Sequence, residues 1–159
     1  MKEACFSEAQ EQQILQMFGK SQLRAGQREL IAAALAGRNV LGVLPTGHGK
    51  SLCYQAAAVL LGGTSVVVSP LIALMRDQVQ GLKKIGIAAE RFDSTLAPEE
   101  KAALLAALSS EKIRLLFVAP ESLKMLIYSV RWPQHHSCCL WWMRLTVCPN
   151  GGTVFARIT

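Results

Sequence analysis

The chain has 159 residues, of which 51% are hydrophobic and 18% charged, and its formal net charge at pH 7 is +6. This length and composition indicate one globular domain with its own core, and they exclude a disordered or collagen-like chain. Residues 122–159 carry four basic residues and no acidic one, which leaves a net charge of only +2 on residues 1–121. Overall basicity is therefore weak evidence for a nucleic-acid partner.

The cysteine pattern and the lack of long apolar runs indicate the cellular compartment. Five cysteines occur without the paired spacing of a zinc motif or a disulfide framework, which favours reduced thiols. No charged-then-apolar leader follows Met1, and no apolar run approaches the length of a membrane-spanning helix. We therefore expect a cytoplasmic protein.

Two helices are predicted before the first strand. Ser7 and Gln10 have the spacing of a capping box, and apolar residues follow at helical spacing as far as Gly19. A second helix is predicted over about residues 26–36, with one apolar face and with Gly37 as its stop.

From residue 39 to residue 123, strand-like and helix-like segments alternate. Strands are predicted at residues 39–44, 64–68, 87–92 and 113–118, and helices end near residue 60, span about 71–85 and 98–108, and begin again at Pro120. The runs at 64–68 and 113–118 are apolar on both faces, which is typical of parallel strands covered by helices. The alternation predicts an α/β fold in which helices flank a parallel sheet through right-handed crossovers.

The first strand leads into a glycine-rich turn that contains Gly47, Gly49, Lys50 and Ser51, and a helix follows. Small residues let successive backbone N–H groups close on phosphate oxygens, and the N-terminus of the next helix favours an anion. Lys50 would reach the β- and γ-phosphates, and the Ser51 hydroxyl would help to hold Mg²⁺. The segment therefore predicts a nucleotide-binding phosphate loop.

The loop departs from the strict pattern, which has glycine at the position of Leu44. Thr46 and Gly47, together with the strand–helix context, favour nucleotide binding over an ordinary turn with a solvated Lys50. His48 lies inside the loop, and we interpret it as a tolerated side chain, because no catalytic partner for it stands nearby in the sequence.

Residues from about 17 to 123 resemble, in order and spacing, the first motor domain of the RecQ-family DNA helicases of superfamily 2. The most specific stretch is residues 67–79, because a phosphate loop alone does not predict it. The loop at 45–55 is close to that of the family, and residues 94–96 and 118–123 match two further family elements. The resemblance implies an incomplete P-loop NTPase (RecA-like) fold, with a parallel sheet flanked by helices.

The same resemblance assigns a nucleotide site and its cofactors. Arg24 and Gln27 match the adenine-recognition element of the family, although Leu23 and Ala25 depart from it. Gln27 would bond the adenine edge and so favour ATP over GTP. ATP and Mg²⁺ are the implied cofactors, with Ser51 as the residue that holds Mg²⁺ through ATP. Without the resemblance, Gln27 would be interpreted as a solvated glutamine at a helix start.

The resemblance also implies single-stranded or partly duplex DNA as a partner. The implied DNA-binding residues are Ser69, Pro70, Leu71, Arg76, Ser94 and Thr95. A serine hydroxyl beside a helix N-terminus can bond a backbone phosphate without reading the base sequence. A protein of this family would be associated with the nucleoid in a bacterium and would lie in the nucleus of a eukaryote.

One family element is missing. Hydrolysis uses an Asp-Glu-Ala-His motif after the next strand, in which the aspartate organises Mg²⁺ and the glutamate activates water. Residues 135–144 stand in its place and contain no acidic residue. The family is a 3′-to-5′ translocase that needs two motor domains, so we expect this chain to be inactive alone. We predict that residues 1–123 are the N-terminal part of the ATP-binding domain and that residues 124–159 form an aberrant, poorly ordered tail.

Other functions fit parts of the sequence. A non-catalytic nucleotide- or DNA-binding module would keep the binding residues without turnover, whereas a small P-loop kinase is disfavoured because no arginine-rich lid follows the helicase-like stretch. A base-stacking platform at Trp141 and Trp142 is a further, disfavoured alternative. A tail metal site is also disfavoured, because its spacings are not those of a zinc fold. Its ligands would come from His135, His136, Cys138, Cys139 and Cys148.

The codons of the tail predict a change of reading frame. Trp141, Trp142 and Met143 can only be encoded TGG, TGG and ATG, and reading one base earlier gives Val-Asp and then a codon that begins with G. Synonymous codons for residues 144–146 continue this as Glu-Ala-His, and residues 147–159 can be read as the continuation of the family sequence. We predict a frame change between the codons for residues 123 and 141. Resequencing the locus tests this: Val-Asp-Glu-Ala-His is expected in the shifted frame, and any other reading makes the tail genuine sequence.

Overall fold

The computed structural model describes residues 6–45, 47–130, 139–144 and 152–158. The helices in these ranges are α1 (Glu8–Met17), α2 (Gln27–Leu35), α3 (Lys50–Leu61), α4 (Ile72–Lys84), α5 (Pro98–Ser109) and α6 (Pro120–Ser129). The strands are β1 (Val40–Pro45), β2 (Ser65–Val68), β3 (Ala89–Phe92), β4 (Leu115–Val118), β5 (Cys139–Arg144) and β6 (Gly152–Ile158). The elements up to β4 lie within about two residues of their predicted bounds, which confirms the α/β prediction.

Local sequence signals account for several helix starts. The Ser7 hydroxyl accepts a hydrogen bond from the Gln10 N–H at 3.2 Å, and the Gln10 side-chain oxygen accepts one from the Ser7 N–H at 3.0 Å. This reciprocal pair is the predicted capping box, and it satisfies two N–H groups at the N-terminus of α1. Proline opens both α5 and α6, where its missing N–H would have no intrahelical partner.

The six strands form one sheet in the order β1-β6-β5-β2-β4-β3. β2 is parallel to β4 and to β5, β3 is parallel to β4, and β6 is antiparallel to both β5 and β1. Since both neighbours of β6 oppose it, β1 runs in the same direction as β2. The loops that follow β1, β2, β3 and β4 therefore all lie at one edge of the sheet, where open α/β sheets bind their ligands.

Helices cover both faces of the sheet, and each face has its own hydrophobic cluster. The first cluster contains buried side chains of α1 to α4, and the second contains buried side chains of α5 and α6. Alternate residues of β4 divide between them: Phe117 belongs to the first cluster and Leu116 to the second. Val67 and Val66 of β2 divide in the same way. Apart from Ser65 at the start of β2, the residues of β2 and β4 are apolar, because both faces of these strands are buried.

The region predicted to be a poorly ordered tail contributes two of these strands. β5 pairs with β2, β6 pairs with β1, and β5 and β6 pair with each other. The backbone of the tail therefore joins β1 to the rest of the sheet. α6 also continues across the predicted boundary at residue 123 as far as Ser129. The division into two regions and the poor packing of the tail stay predictions, because the described ranges contain only part of residues 124–159.

Candidate nucleotide site and DNA-facing loops

The turn after β1 has the backbone geometry of a tight loop that directs the N-terminus of α3. Gly47 and Gly49 have φ values of +80° and +67°, a conformation that residues with a side chain rarely adopt. The His48 N–H donates to the Pro45 carbonyl at 3.2 Å, which closes the turn. Thr46, which was assigned to this site, lies outside the described residues. α3 begins at Lys50, so its first N–H groups and its positive dipole end lie next to the loop.

Lys50 holds its ammonium against the loop. Its Nζ donates to the carbonyl oxygens of Leu44 at 3.2 Å and Pro45 at 2.9 Å. Both acceptors are neutral, whereas an anionic phosphate would add Coulomb attraction between opposite charges to the hydrogen bond. A phosphate at the loop could therefore compete with these carbonyls for the ammonium.

Gln27 braces the loop from the start of α2. Its side chain is 2% exposed, and its Nε2 donates to the carbonyls of His48 at 2.9 Å and Gly49 at 3.1 Å. Its Oε1 accepts the N–H of Arg24 at 2.8 Å. In this conformation both amide hydrogens lie on the loop, so the structure assigns Gln27 a bracing role that the sequence did not predict. The adenine contact implied by the resemblance stays a prediction.

Arg24 provides a second brace. Its guanidinium Nη1 donates to the carbonyl of Gly47, next to the two carbonyls that Gln27 holds. Gly26 lies between the two braces, with φ of +83°, and a Cβ on it would come within 3.2 Å of the Leu44 side chain. This glycine lets the start of α2 approach β1 closely. The residues assigned to adenine recognition and to the phosphate loop thus converge on one site.

Ser51 faces a small cavity between α3 and α4. The cavity has a volume of about 190 Å³, and its lining includes Ser51 and Gln55 from α3 and Asp77 and Gln78 from α4. Asp77 is therefore a carboxylate that shares a cavity with the predicted Mg²⁺-holding hydroxyl. Glu121, by contrast, is exposed in the first turn of α6.

The predicted DNA-binding residues after β2 divide into a buried hydroxyl and exposed side chains. Ser69 is 1% exposed, and its hydroxyl accepts the Leu71 N–H at 3.4 Å. The backbone N–H of Ser69 also donates to the Val118 carbonyl of β4 at 3.0 Å. Ser69 therefore shapes the turn that leads into α4, while Pro70, Leu71 and Arg76 are exposed.

The turn after β3 is organised by Asp93, a residue that the sequence analysis did not single out. Its carboxylate is fully buried and accepts hydrogen bonds from the Thr95 N–H at 2.8 Å and from the Thr95 hydroxyl, and it forms an ion pair with Arg91. Burial acts to raise the pKa of Asp93, but the bonds from Thr95 and Arg91 and the Arg91 charge hold it below its ordinary value. The hydroxyl of Thr95 is thus bonded within the turn, while Ser94 is exposed. An aspartate two residues before a threonine is a recognisable turn signal that could have identified Asp93.

The residues predicted to bind nucleotide and those predicted to bind DNA lie at the same edge of the sheet but form separate groups. The turns after β2 and β3 both hydrogen-bond to the β4 chain, through the Ser69 N–H to Val118 and the Ala119 N–H to Phe92. The loop after β1 is separated from β2 by β6 and β5. Three strand spacings amount to about 14 Å, so the two groups are near each other without sharing a strand pair.

Among the described residues we find neither a cluster of metal ligands nor a membrane-spanning helix. No group of three or more His, Cys, Asp or Glu side chains there could hold a metal ion, and each of its helices is too short or too polar to cross a bilayer. Cys53 is a free, buried thiol whose pKa is raised to about 12 by burial. The alternatives placed in the tail, a metal site at His135–Cys148 and a stacking platform at Trp141 and Trp142, rest on side chains outside the described set.

Two glycines of the loop should respond differently to alanine. A Cβ at Gly49 would lie 2.8 Å from the Gln27 Nε2, whereas one at Gly47 meets no atom within 4 Å. Gly47→Ala should cost only the left-handed backbone strain, about 1–2 kcal/mol of unfolding free energy. Gly49→Ala should cost about 1–3 kcal/mol more, because it displaces the buried amide from its acceptors. Urea denaturation of both variants measures this difference, and equal losses would show that Gln27 does not brace the loop.

Comparison with known proteins places these features in a family. The sequence profile described as DEAD/DEAH box helicase matches residues 24–141. The chain is 46% identical over 107 residues to ATP-dependent DNA helicase Q-like 2 of Arabidopsis thaliana, which covers 66% of this chain and 15% of that protein. It is 45% identical over 105 residues to ATP-dependent DNA helicase RecQ of Haemophilus influenzae, and these residues cover 66% of this chain and 17% of that protein.

RecQ of Synechocystis is similar over a longer stretch, with 42% identity over 113 residues that cover 71% of this chain and 24% of that protein. The chain thus spans between 15% and 24% of the lengths of these three relatives. The profile match includes the phosphate loop, its two braces and the turns after β2, β3 and β4. The chain therefore belongs to the DEAD/DEAH box helicase family, in which its relatives are RecQ-like DNA helicases.

Proposed function

We propose that this chain binds ATP with Mg²⁺ at the loop of residues 45–51, as the nucleotide-binding fragment of a RecQ-like 3′-to-5′ DNA helicase. The observation that carries the proposal is the loop itself, with Lys50 folded against it and Arg24 and Gln27 holding its carbonyls. A loop held in this way has little conformational freedom to lose when it binds a ligand. The relatives from Arabidopsis thaliana and Haemophilus influenzae are named as ATP-dependent DNA helicases.

Single-stranded or partly duplex DNA is the proposed partner. Pro70, Leu71, Arg76 and Ser94 offer exposed side chains at the sheet edge, and Ser69 and Thr95 keep the two turns in shape. Contacts of this kind go to the DNA backbone and would position a strand without reading its sequence. We place the protein in the cytoplasm, at the nucleoid of a bacterium or in the nucleus of a eukaryote.

The chain itself is proposed to bind without unwinding. It has no Asp-Glu-Ala-His motif, and it spans at most about a quarter of the RecQ relatives named above. We attribute the missing motif to the frame change inferred from the codons of residues 141–143. A non-catalytic nucleotide- or DNA-binding module is the second candidate function, and the same loop and turns support it.

Nucleotide binding should depend on Lys50. Its ammonium offsets phosphate charge at close range in a partly buried site, so Lys50→Ala should remove several kcal/mol of binding free energy. Calorimetric titration of folded protein with ATP and Mg²⁺ measures the loss. Lys84→Ala, at the exposed end of α4, is the matched control and should bind as the unmodified chain does. Unchanged affinity in Lys50→Ala would refute the site.

ATP turnover by the isolated chain should be at background, with or without single-stranded DNA. The 159 residues contain no Asp-Glu-Ala-His motif to supply the water-activating glutamate, and its loss should cost orders of magnitude in rate. Phosphate release measured with and without DNA tests this. Robust DNA-stimulated release would contradict it, and Asp77→Asn and Glu121→Gln would then identify the carboxylate. Asp77 is the stronger candidate of the two, because it shares a cavity with Ser51.

A further inference from the structure

The helices that follow the nucleotide loop and the DNA-facing turn are bonded to each other directly. Gln78 of α4 accepts two hydrogen bonds at its Oε1, from the Tyr54 hydroxyl at 3.1 Å and from the Gln55 Nε2 at 2.6 Å, and both donors belong to α3. The strands that carry the two loops do not pair, because β6 and β5 stand between β1 and β2. The contact between α3 and α4 is thus the shorter route from one loop to the other.

Burial makes this contact costly to break. Tyr54 is 1% exposed and Gln55 is 9% exposed, so both donors are largely shielded from bulk solvent. Burial also raises the pKa of Tyr54, so its hydroxyl stays protonated and remains a donor at neutral pH. The ring of Tyr54 is held edge-on against Phe117, with ring centroids 6.3 Å apart and planes at 73°. Removing the shared acceptor would take one buried hydrogen bond from each of the two donors.

The network extends to both predicted binding sites. Ser51, the residue assigned to Mg²⁺, lines the same cavity as Gln55 and Gln78. Tyr54 and Gln55 follow Ser51 by about one helical turn, so all three lie along one side of α3. Gln78 lies about two turns after Leu71, where the DNA-facing turn enters α4. The bonded side chains of Tyr54, Gln55 and Gln78 therefore join α3, which begins at the nucleotide loop, to α4, the helix that carries Arg76.

We infer that Gln78 is a positioning residue that couples the two sites, so that nucleotide bound at the loop changes the affinity for DNA through α3 and α4. The inference rests on the proposed function, since it requires both sites to bind. By thermodynamic linkage, DNA must then change the nucleotide affinity by the same factor. A bond that only stabilised the fold would change the unfolding free energy and leave this factor unchanged.

The test measures the coupling factor on the full 159-residue chain. The Kd of ATPγS with Mg²⁺ is determined with and without a saturating single-stranded oligothymidylate, and the ratio of the two values is the coupling factor. The unmodified chain should give a ratio that differs from one by roughly 5-fold to 150-fold. Gln78→Leu should bring the ratio close to one. Gln78→Glu keeps an oxygen acceptor for both donors and should preserve it, as should Gln80→Leu, an exposed residue of the same helix.

Tyr54→Phe keeps the inference testable if Gln78→Leu fails to fold in a thermal melt. This variant removes one hydroxyl and should give a ratio between one and that of the unmodified chain. The inference is overturned if the unmodified chain binds both ligands with a ratio of one, or if Gln78→Leu and Tyr54→Phe keep the full ratio. If the unmodified chain fails to bind nucleotide or DNA, both the proposed function and the inference are overturned. If it binds both ligands but shows no coupling, only the inference is overturned.

Discussion

The proposed nucleotide site depends on the buried side-chain amide of Gln27, which donates to the carbonyls of His48 and Gly49. A phosphate-binding loop must present N–H groups to its ligand, so some of its carbonyl oxygens point elsewhere and need donors. Gln27 supplies two of those donors and Arg24 supplies one to the Gly47 carbonyl. The space that a Cβ on Gly49 would need is filled by the same amide. The position of the Gln27 amide therefore requires glycine at residue 49.

The order of the strands sets how the two sites can influence each other. Every loop at the site follows a strand of the same direction, so the phosphate loop and the turns after β2 and β3 share one edge. The separation of β1 from β2 leaves the sheet a poor direct route between them, and the helices α3 and α4 meet instead at Gln78. Since Tyr54 is buried, its hydrogen bond to Gln78 is shielded from bulk solvent.

Local signals made much of this structure predictable, and non-local pairing accounts for the rest. The capping box at Ser7, the alternation of elements and the loop at 45–51 each depend on residues a few positions apart, and all three are where the sequence places them. The insertion of β5 and β6 between β1 and β2 depends on pairings across the whole chain, so no local pattern revealed it. Gln78 lies on α4 and its donors Tyr54 and Gln55 lie on α3, so no local pattern predicts their contact. The role of Gln27 was missed for the same reason.

The most direct test of the account is to follow the amide signals of the ¹⁵N-labelled chain by NMR while Mg²⁺ and ATP are added. If the braced loop is the nucleotide site, the backbone amides of Gly47 to Ser51 and the side-chain amide of Gln27 should shift together, with one saturating dependence on nucleotide concentration. Loop amides that do not respond, or shifts concentrated at the turn of Asp93 to Thr95, would contradict the central claim.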